Sequence, residues 1–599
     1  MFLRGTKRKK DGKEHRYWSV VENIRQPSGP VHQKTLLYLG ELNDSQQASW
    51  TKALAVFNLD SGQLETRSLF PADRTPPLSG APPLSLCLAE YRLSHPRQYG
   101  ACWLAAELWR QLGLDQFWAG KLPASREGTD WARLLQVSTI YRLIAPGSEW
   151  RCHRQWYDRS AMRDLLGPDF HWGGKDLLYL VLDRLLQHRL ALFTHLQARW
   201  QDLFGAKYEV LLYDLTSTYF EGQAEEIPKA QFGHSRDHRS DCRQVVMALI
   251  VTPEGFPLAY EVMPGNTSDK TTLKEFLGKI ETQYGKAQRT WLMDRGIPTE
   301  EVLAEMRAAD PPVLYLVGTP RARLRQTRSQ WESLAWQKIK DTVEVKLFRE
   351  DQELYVVAKS GGRQEKENAM RRKKLARLLW ALRALRRETS RDRLLLRLGA
   401  AKSKAGLAAK LVEIQLPAAA AAPSKKKNTA QKIPPGSFSF RLNKPLLQEA
   451  ELYDGHYLLR SNLSHQEPEW LWKLYMLLVE IEAVFKSFKN DLGLRPIYHS
   501  VEPRVEAHIF VCFLAYCLQV TLKQRLNALA PGLTPRAALE TLAGVQMLDL
   551  EVPTSDGRWL MMSRYTQPDQ AVELLLGQLK MKLPEQAPPR LSAERKLAL

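Results

Sequence analysis

The chain has 599 residues, enough for three or four domains with a large buried core, and its 44% apolar content is ordinary for a globular protein. Six scattered cysteines (Cys87, Cys102, Cys152, Cys242, Cys512, Cys517) form no CxxC pair and no zinc-finger spacing, which speaks against a disulfide framework or a structural zinc site and fits a reducing cytoplasm. A net charge of +20, from 86 Lys and Arg against 66 Asp and Glu, favours a polyanionic partner, nucleic acid ahead of an anionic membrane surface.

No membrane partner is expected. The basic start MFLRGTKRKKDGKEHRYW lacks the apolar stretch of a secretory signal, and no run reaches the ~18 apolar residues of a span. The nearest run, 509–520, reads as a buried core helix. Residues 1–70 read as a small basic β-containing domain, with strand-like runs at 17–21 and 35–39 around the turn QPSGP. A Pro-rich linker follows at 71–83. Residues 84–205 carry helical periodicity with many Trp and Arg, a helical N-terminal module that is a candidate for DNA binding and whose tryptophans mostly fill its core.

From Tyr208 short apolar strands take over, at 210–213, 245–251 and 258–262. A helix-like stretch near 273–280, a strand at 291–293, a helix at 300–309 and a strand at 313–317 come next. This is the order of a ribonuclease-H-like mixed sheet, so 206–320 is predicted to be the first part of a catalytic core. Residues 321–468 break the alternation as an insertion domain, with β-like pieces at 343–347 and 354–358, a basic helix, and a mobile linker at 416–436. The core is predicted to resume at 469–530. Residues 531–599 read as a mixed C-terminal region ending in a disordered tail. The fold class is therefore α/β and multidomain.

Asp214 and Asp294 each follow an apolar run, so each is expected at the end of a buried strand. Neighbouring strands lie ~5 Å apart, so two such acids can share a magnesium ion, which prefers carboxylate oxygens. Either aspartate alone reads as a turn or capping residue, and the pairing is what suggests chemistry. A third acid comes from a helix over 470–491, whose apolar stripe is Leu474, Leu477, Leu478, Ile481, Val484, Phe485 and Phe488. At ~100° per residue Tyr475, Glu482 and Lys489 fall on one flank of that stripe, with Glu480 on the other. Glu482 could thus face the two aspartates, with Lys489 near a phosphate. Arg371 and Arg372 open a basic amphipathic helix that could track phosphates or simply be solvated. His234, Asp237 and His238 have poor spacing for zinc and read as a turn or as DNA contacts.

The stretches around these acids resemble the DDE transposases of bacterial insertion sequences, in the insertion-sequence-four superfamily. They are YDLTSTYFEG (Tyr213 to Gly222), GHSRDHR (Gly233 to Arg239) with Gln244, PGNTSD (Pro264 to Asp269), DRG from Asp294, and YLVGTP (Tyr315 to Pro320). SGGR (Ser360 to Arg363) with Lys366, Glu367, Ala369 and Met370, then LRPIYH (Leu494 to His499), continue the likeness in order. Tyr475, Glu482 and Lys489 match the superfamily's Y-x2-R-x3-E-x6-K helix; Leu478 replaces its arginine, a loss that Lys473 or Lys486 could cover.

The resemblance implies a catalytic and metal-holding set of Asp214, Asp294 and Glu482, with two Mg2+ ions for which Mn2+ can substitute. It implies DNA contacts from Tyr475, Lys489, Lys486, Arg295, Arg371 and Arg372, and base stacking by Trp331 or Trp336, for which core packing is the competing reading. The partners implied are terminal inverted repeats and target DNA, engaged by a homodimer in the bacterial cytoplasm at the nucleoid. No ATP is expected, since no G-x4-G-K-[ST] loop occurs. The expected reaction is cut-and-paste transposition. A metal-dependent endonuclease without strand transfer, or a catalytically inactive transposase-derived DNA-binding protein, would share the same sequence features.

Overall fold

The computed structural model describes residues 1–10, 13–24, 32–43, 45–47, 50, 86–167, 170, 174, 176–267, 278–280, 282, 289–294, 297–340, 343–417, 437–463 and 467–592. The predicted linker at 71–83 and most of the predicted linker at 416–436 and of the helix near 273–280 lie outside them. The chain forms two compact units. The first comprises Met1–Thr6, Arg16–Val313 and Leu477–Leu599, the second Lys7–His15 and Leu314–Met476.

The first unit opens on a small sheet of β1 (Phe2–Lys10), β2 (Lys13–Ile24) and β3 (His32–Gly40) in that order. Alternation turns Trp18, Val20, Leu37 and Leu39 inward, and all four are buried. β4 (Arg92–Gln98) interrupts what the sequence suggested to be purely helical. Helices Gly100–Gln111, Leu114–Lys121, Trp131–Ile144, Asp176–Leu182 and Arg189–Phe204 follow. Gly113, at φ +64°, turns the chain between the first two, a conformation that costs a glycine little. Asp130 caps the third by accepting from the Arg133 amide. Trp109, Trp118 and Trp200 are fully buried and serve the module's core, whereas Trp150 is exposed.

The central sheet of this unit runs β8-β5-β6-β7, with β5 Val210–Tyr219, β6 Gln244–Val251, β7 Pro257–Pro264 and β8 Thr290–Met293. β5, β6 and β7 are antiparallel neighbours, whereas β8 runs parallel to β5. Every residue of β6 is buried, as a strand covered on both faces must be. Helix Glu300–Ala308, capped by Thr299, ends this stretch.

The second unit is built on an antiparallel sheet of β9 (Leu314–Gly318), β10 (Gln337–Lys340), β11 (Val343–Glu350), β12 (Glu353–Ser360) and β15 (His456–Ser461), in the order β10-β11-β12-β15-β9. β9, expected in the first part of the core, pairs with β15 in this unit. Helices Gly361–Leu385 and Arg391–Ala405 pack their leucines together against β13 (Val412–Gln415) and β14 (Ser439–Leu442). Helix Lys444–Leu452 and helix Pro468–Met476 complete the unit.

The chain returns to the first unit through helix Leu478–Lys486, a π-turn over Ser487–Asp491, and the 28-residue helix Glu502–Leu529. Among the described residues that last helix alone is long and apolar enough to cross a bilayer, yet 89% of its apolar window is buried inside the protein. It is the core helix anticipated around 509–520, and the helices of the N-terminal module pack on it. Trp118 meets Phe510 edge-on, and the Trp200 indole donates to Thr521 over 3.1 Å.

β16 (Gln546–Pro553), β17 (Trp559–Tyr565) and β18 (Arg590–Ser592) form an antiparallel sheet completed by β4, in the order β18-β17-β16-β4. The predicted disordered tail is thus ordered as far as Ser592, because Arg590–Ser592 pairs with β17. The sequence offered no sign that residues 92–98 and 546–551 would be strand partners.

Candidate active site beside two parallel strands

Parallel register between β5 and β8 pairs Val210 with Thr290 and ends at Tyr213 with Met293. Asp294 directly follows the last residue of β8, as expected, whereas Asp214 does not end its strand: it follows Tyr213 within β5, which continues antiparallel to β6 as far as Tyr219. Side chains at matched positions of parallel strands point to the same face, and the strands lie ~4.8 Å apart. Both aspartates are partly exposed, although Leu212, Tyr213, Leu292 and Met293 beside them are fully buried. Two partly exposed carboxylates thus follow buried strand residues. The Asp214 carboxylate accepts from the Leu215 amide at 2.7 Å, which fixes its rotamer.

Helix Leu478–Lys486 packs on β5. Its stripe is buried as the period predicts, through Leu478, Ile481, Val484 and Phe485, with Phe488 continuing it. Glu482 lies on the exposed flank, and Glu480, on the opposite flank, is tied to Lys523 at 2.7 Å. The predicted single helix is in fact interrupted. A turn at Leu477 separates it from helix Pro468–Met476, and the π-turn from Ser487 changes the residues per turn. The ~100° step that placed Tyr475, Glu482 and Lys489 on one line therefore does not hold across the segment.

The other predicted contacts separate accordingly. Lys489 is bound to Asp237 at 2.8 Å, and Arg495 donates to the same carboxylate oxygen. Asp237 is 3% exposed, so the stretch weighed as a turn supplies an internal counter-ion. Burial pulls the Lys489 ammonium below its ordinary pKa, with Asp237 acting against it. Lys489 is thus not a free phosphate ligand in this structure. Lys486 and Arg372 are exposed. Arg371 is held by the buried Asp454, and the Tyr475 ring lies against Tyr457 and Trp472.

Trp331 belongs to a hydrophobic core and Trp336 packs on it; both rings lie beside His456 and the Lys346 ammonium. In this structure both tryptophans pack in that core. Arg295 lies outside the described residues.

Among the described residues, the side chains gathered tightly enough for a single ion are Glu149, His499 and His508, with ligand atoms within 4.8 Å of one another; Asp214, Asp294 and Glu482 are not so gathered. Oxygens around one octahedral ion at ~2.1 Å can be no more than ~4.2 Å apart. Magnesium's preference for carboxylate oxygen matches the donor set.

Sequence reasoning missed the buried polar cluster of Arg142, Glu149, His499 and His508, whose members are spread over 367 positions of the chain (142 to 508) and carry no local spacing. Burial would raise Glu149, but His499, Arg142 and His508 hold it at about 2. Burial, with the charges of Arg142 and His499, holds His508 well below its ordinary 6.5. Tyr141, Cys152, Tyr179 and Cys512 are the other titratable groups facing the cluster. Glu149 thus contributes stability that is present above 4.5 and lost as pH falls toward 2. His508 stays neutral when folded while the unfolded chain takes up a proton below about 6.5, so folding also weakens through that window. The unfolding midpoint should fall continuously from pH 7 to 4, and His508→Gln should flatten the part between 7 and 5; a flat wild-type profile would exclude this linkage.

Residues 205–518, which hold all three acids, match the family described as "Transposase DDE domain". Residues 3–56 match "IS1634 family transposase, N-terminal domain". Sheet and match together define the class, a DNA transposase of mixed α/β fold that cleaves and transfers DNA strands. The chain belongs to the DDE transposase family, whose domains generally use divalent metal ions. Among curated proteins none matches. A solved structure with similarity is the cryo-EM piggyBac transposase synaptic complex with hairpin DNA, 7% identical, with a TM-score of 0.33 over 74% of this chain and 78% of that one.

Proposed function

We propose that this transposase performs cut-and-paste transposition in a ribonuclease-H-like core, in the manner of the insertion-sequence-four superfamily. One site built from Asp214, Asp294 and Glu482 would do all of the chemistry. The observation that supports the reading is the parallel β5 and β8 register, whose last pair, Tyr213 with Met293, immediately precedes Asp214 and Asp294 in the chain. Asp214, Asp294 and Glu482 would hold two divalent ions, magnesium first, which when bound lower the pKa of water and neutralise charge on phosphate.

Water attacks the phosphorus at a transposon end as the bond to the 3′ oxygen breaks, leaving a 5′ phosphate and a free 3′ hydroxyl. That hydroxyl then attacks a target phosphodiester and displaces its 3′ oxygen. One phosphodiester bond is exchanged for another, so neither ATP nor a redox partner enters the balance. The rigid strands fix the two aspartates, which keeps the reacting groups in line. Glu482, exposed on a helix seated against β5, is the third acid of the proposal.

Phosphate tracking falls to exposed cations. Arg372, Lys373, Lys374 and Arg377 are exposed on helix Gly361–Leu385, while its leucines are buried. Each phosphate contact contributes about 0.9 to the slope of log affinity against log salt. Replacing all four residues by Gln should reduce that slope by up to about 3.6, measured by fluorescence anisotropy on terminal-repeat DNA. An unchanged slope would remove this helix from the DNA interface. Two transposon ends held by a homodimer complete the proposal. Incubation with labelled ends and a target plasmid tests it: joined product is expected, and cutting without joining would reduce the protein to an endonuclease.

A further inference from the structure

We propose that Arg142, Thr218 and His508 are positioning residues that lock the exit of the Glu482 helix onto β5, and so set where Glu482 stands relative to Asp214. The inference rests on the transposition reading above for its catalytic consequence.

The anchoring is dense. The Leu494 amide donates to Phe488 at 2.9 Å, closing the π-turn, and the Leu494 carbonyl then accepts from the Thr218 hydroxyl at 3.2 Å and faces His508 Nε2 at 3.3 Å. Arg142 Nη1 donates to the Gly493 carbonyl at 3.3 Å. Three residues on, the Ile497 amide donates to Tyr219 at 2.9 Å and the Ile497 carbonyl accepts from Glu221 at 3.0 Å, so the chain runs beside the end of β5. Thr218 lies on the same strand as Asp214 and is fully buried. Gly493 sits at φ +62°, and a Cβ there would come within 2.9 Å of Pro146, so the turn admits no ordinary side chain.

Arg142 and His508 are 5% and 6% exposed, and hydrogen bonds among buried polar groups favour one geometry over several, although the Arg142 Nε has no hydrogen-bond partner among the described residues. Arg142 Nη2 lies 3.4 Å from His508 Nδ1 and 3.8 Å from Glu149 Oε1, and Glu149 Oε1 lies 3.6 Å from His499 Nε2. With its lone pair facing the guanidinium, Nδ1 accepts, and Nε2 carries the proton given to Leu494. Glu149 and His499 in turn hold Arg142.

Glu149, His499 and His508 also have the composition of a zinc site, but the guanidinium already stands where a metal would gain its charge. A divalent ion beside that buried cation would meet strong repulsion in a low-dielectric setting. The cluster is therefore read as an internal brace.

Thr218→Val and His508→Leu should each slow single-turnover cleavage by about 10- to 100-fold while DNA affinity stays within about threefold, as expected of misplaced catalytic groups. His508→Gln, whose amide keeps a donor and an acceptor, should recover most of the rate. Hydrogen exchange over residues 478–494 should quicken in the first two variants and not in the third. Wild-type rates and exchange in Thr218→Val, or in folded His508→Leu, would overturn the proposal. So would one equivalent of zinc bound by the wild type and lost in His499→Ala. Wild-type protein that cuts no DNA would count against transposition instead, and the exchange measurements would then decide the brace alone.

Discussion

Asp214→Asn and Asp294→Asn are each expected to slow cleavage of transposon-end DNA by about 10²- to 10³-fold or more, the scale of losing a group that stabilises transition-state charge. Binding of the same DNA should change little. Asparagine keeps the shape of aspartate, and Asp214 stands on a strand paired on both sides, so the fold should survive the change. What disappears is the second anionic oxygen needed to hold a divalent ion. Glu482→Gln should behave alike, since its side chain is exposed and its helix is held by the opposite stripe. Glu480→Gln, on the far flank and paired with Lys523, provides the contrast and should cleave normally. Full activity in either aspartate variant, measured in gel assays with magnesium, would end the catalytic assignment.

Asp237→Ala is expected to destabilise the first unit by about 3–5 kcal/mol, the usual consequence of stripping a buried charge of its partner. Lys489 and Arg495 share this one carboxylate, and their side chains are 11% and 28% exposed. Neither can turn fully to water when it is removed. Lys489→Met in the Asp237→Ala background should recover part of the loss, because it takes away one of the two stranded cations. Denaturant titration of the four members of the cycle measures the coupling. Additive losses would mean that the pair is not energetically linked.

The contrast between these two sites follows what a sequence can hold. An apolar run is local, so the strands leading to Asp214 and Asp294 were legible, though not that β5 runs on past Asp214 to Tyr219, as was the buried stripe of the Glu482 helix, whose period is written in seven residues. Long-range pairing is not local. Nothing near Asp237 points to Lys489, 252 positions away, and nothing near Arg92 points to Glu551. The π-turn at Ser487 escaped for another reason: it depends on how Phe488 and Leu494 close on each other, and the apolar pattern reads the same for either kind of turn. Trp331 and Trp336 were ambiguous by nature, since an indole suited to stacking on a base is equally suited to stacking on Lys346 and His456.

The first unit is discontinuous, leaving at Val313 and returning at Leu477. A ribosome making this protein therefore releases both aspartates long before the glutamate, with an entire second unit in between. Domains fold as they emerge, so the nascent chain passes through a stage with two acids and an unfinished sheet edge. On the assignment proposed above, nuclease competence would arrive only with the last fifth of translation, and a message cut short before Leu477 would yield a protein with no blade.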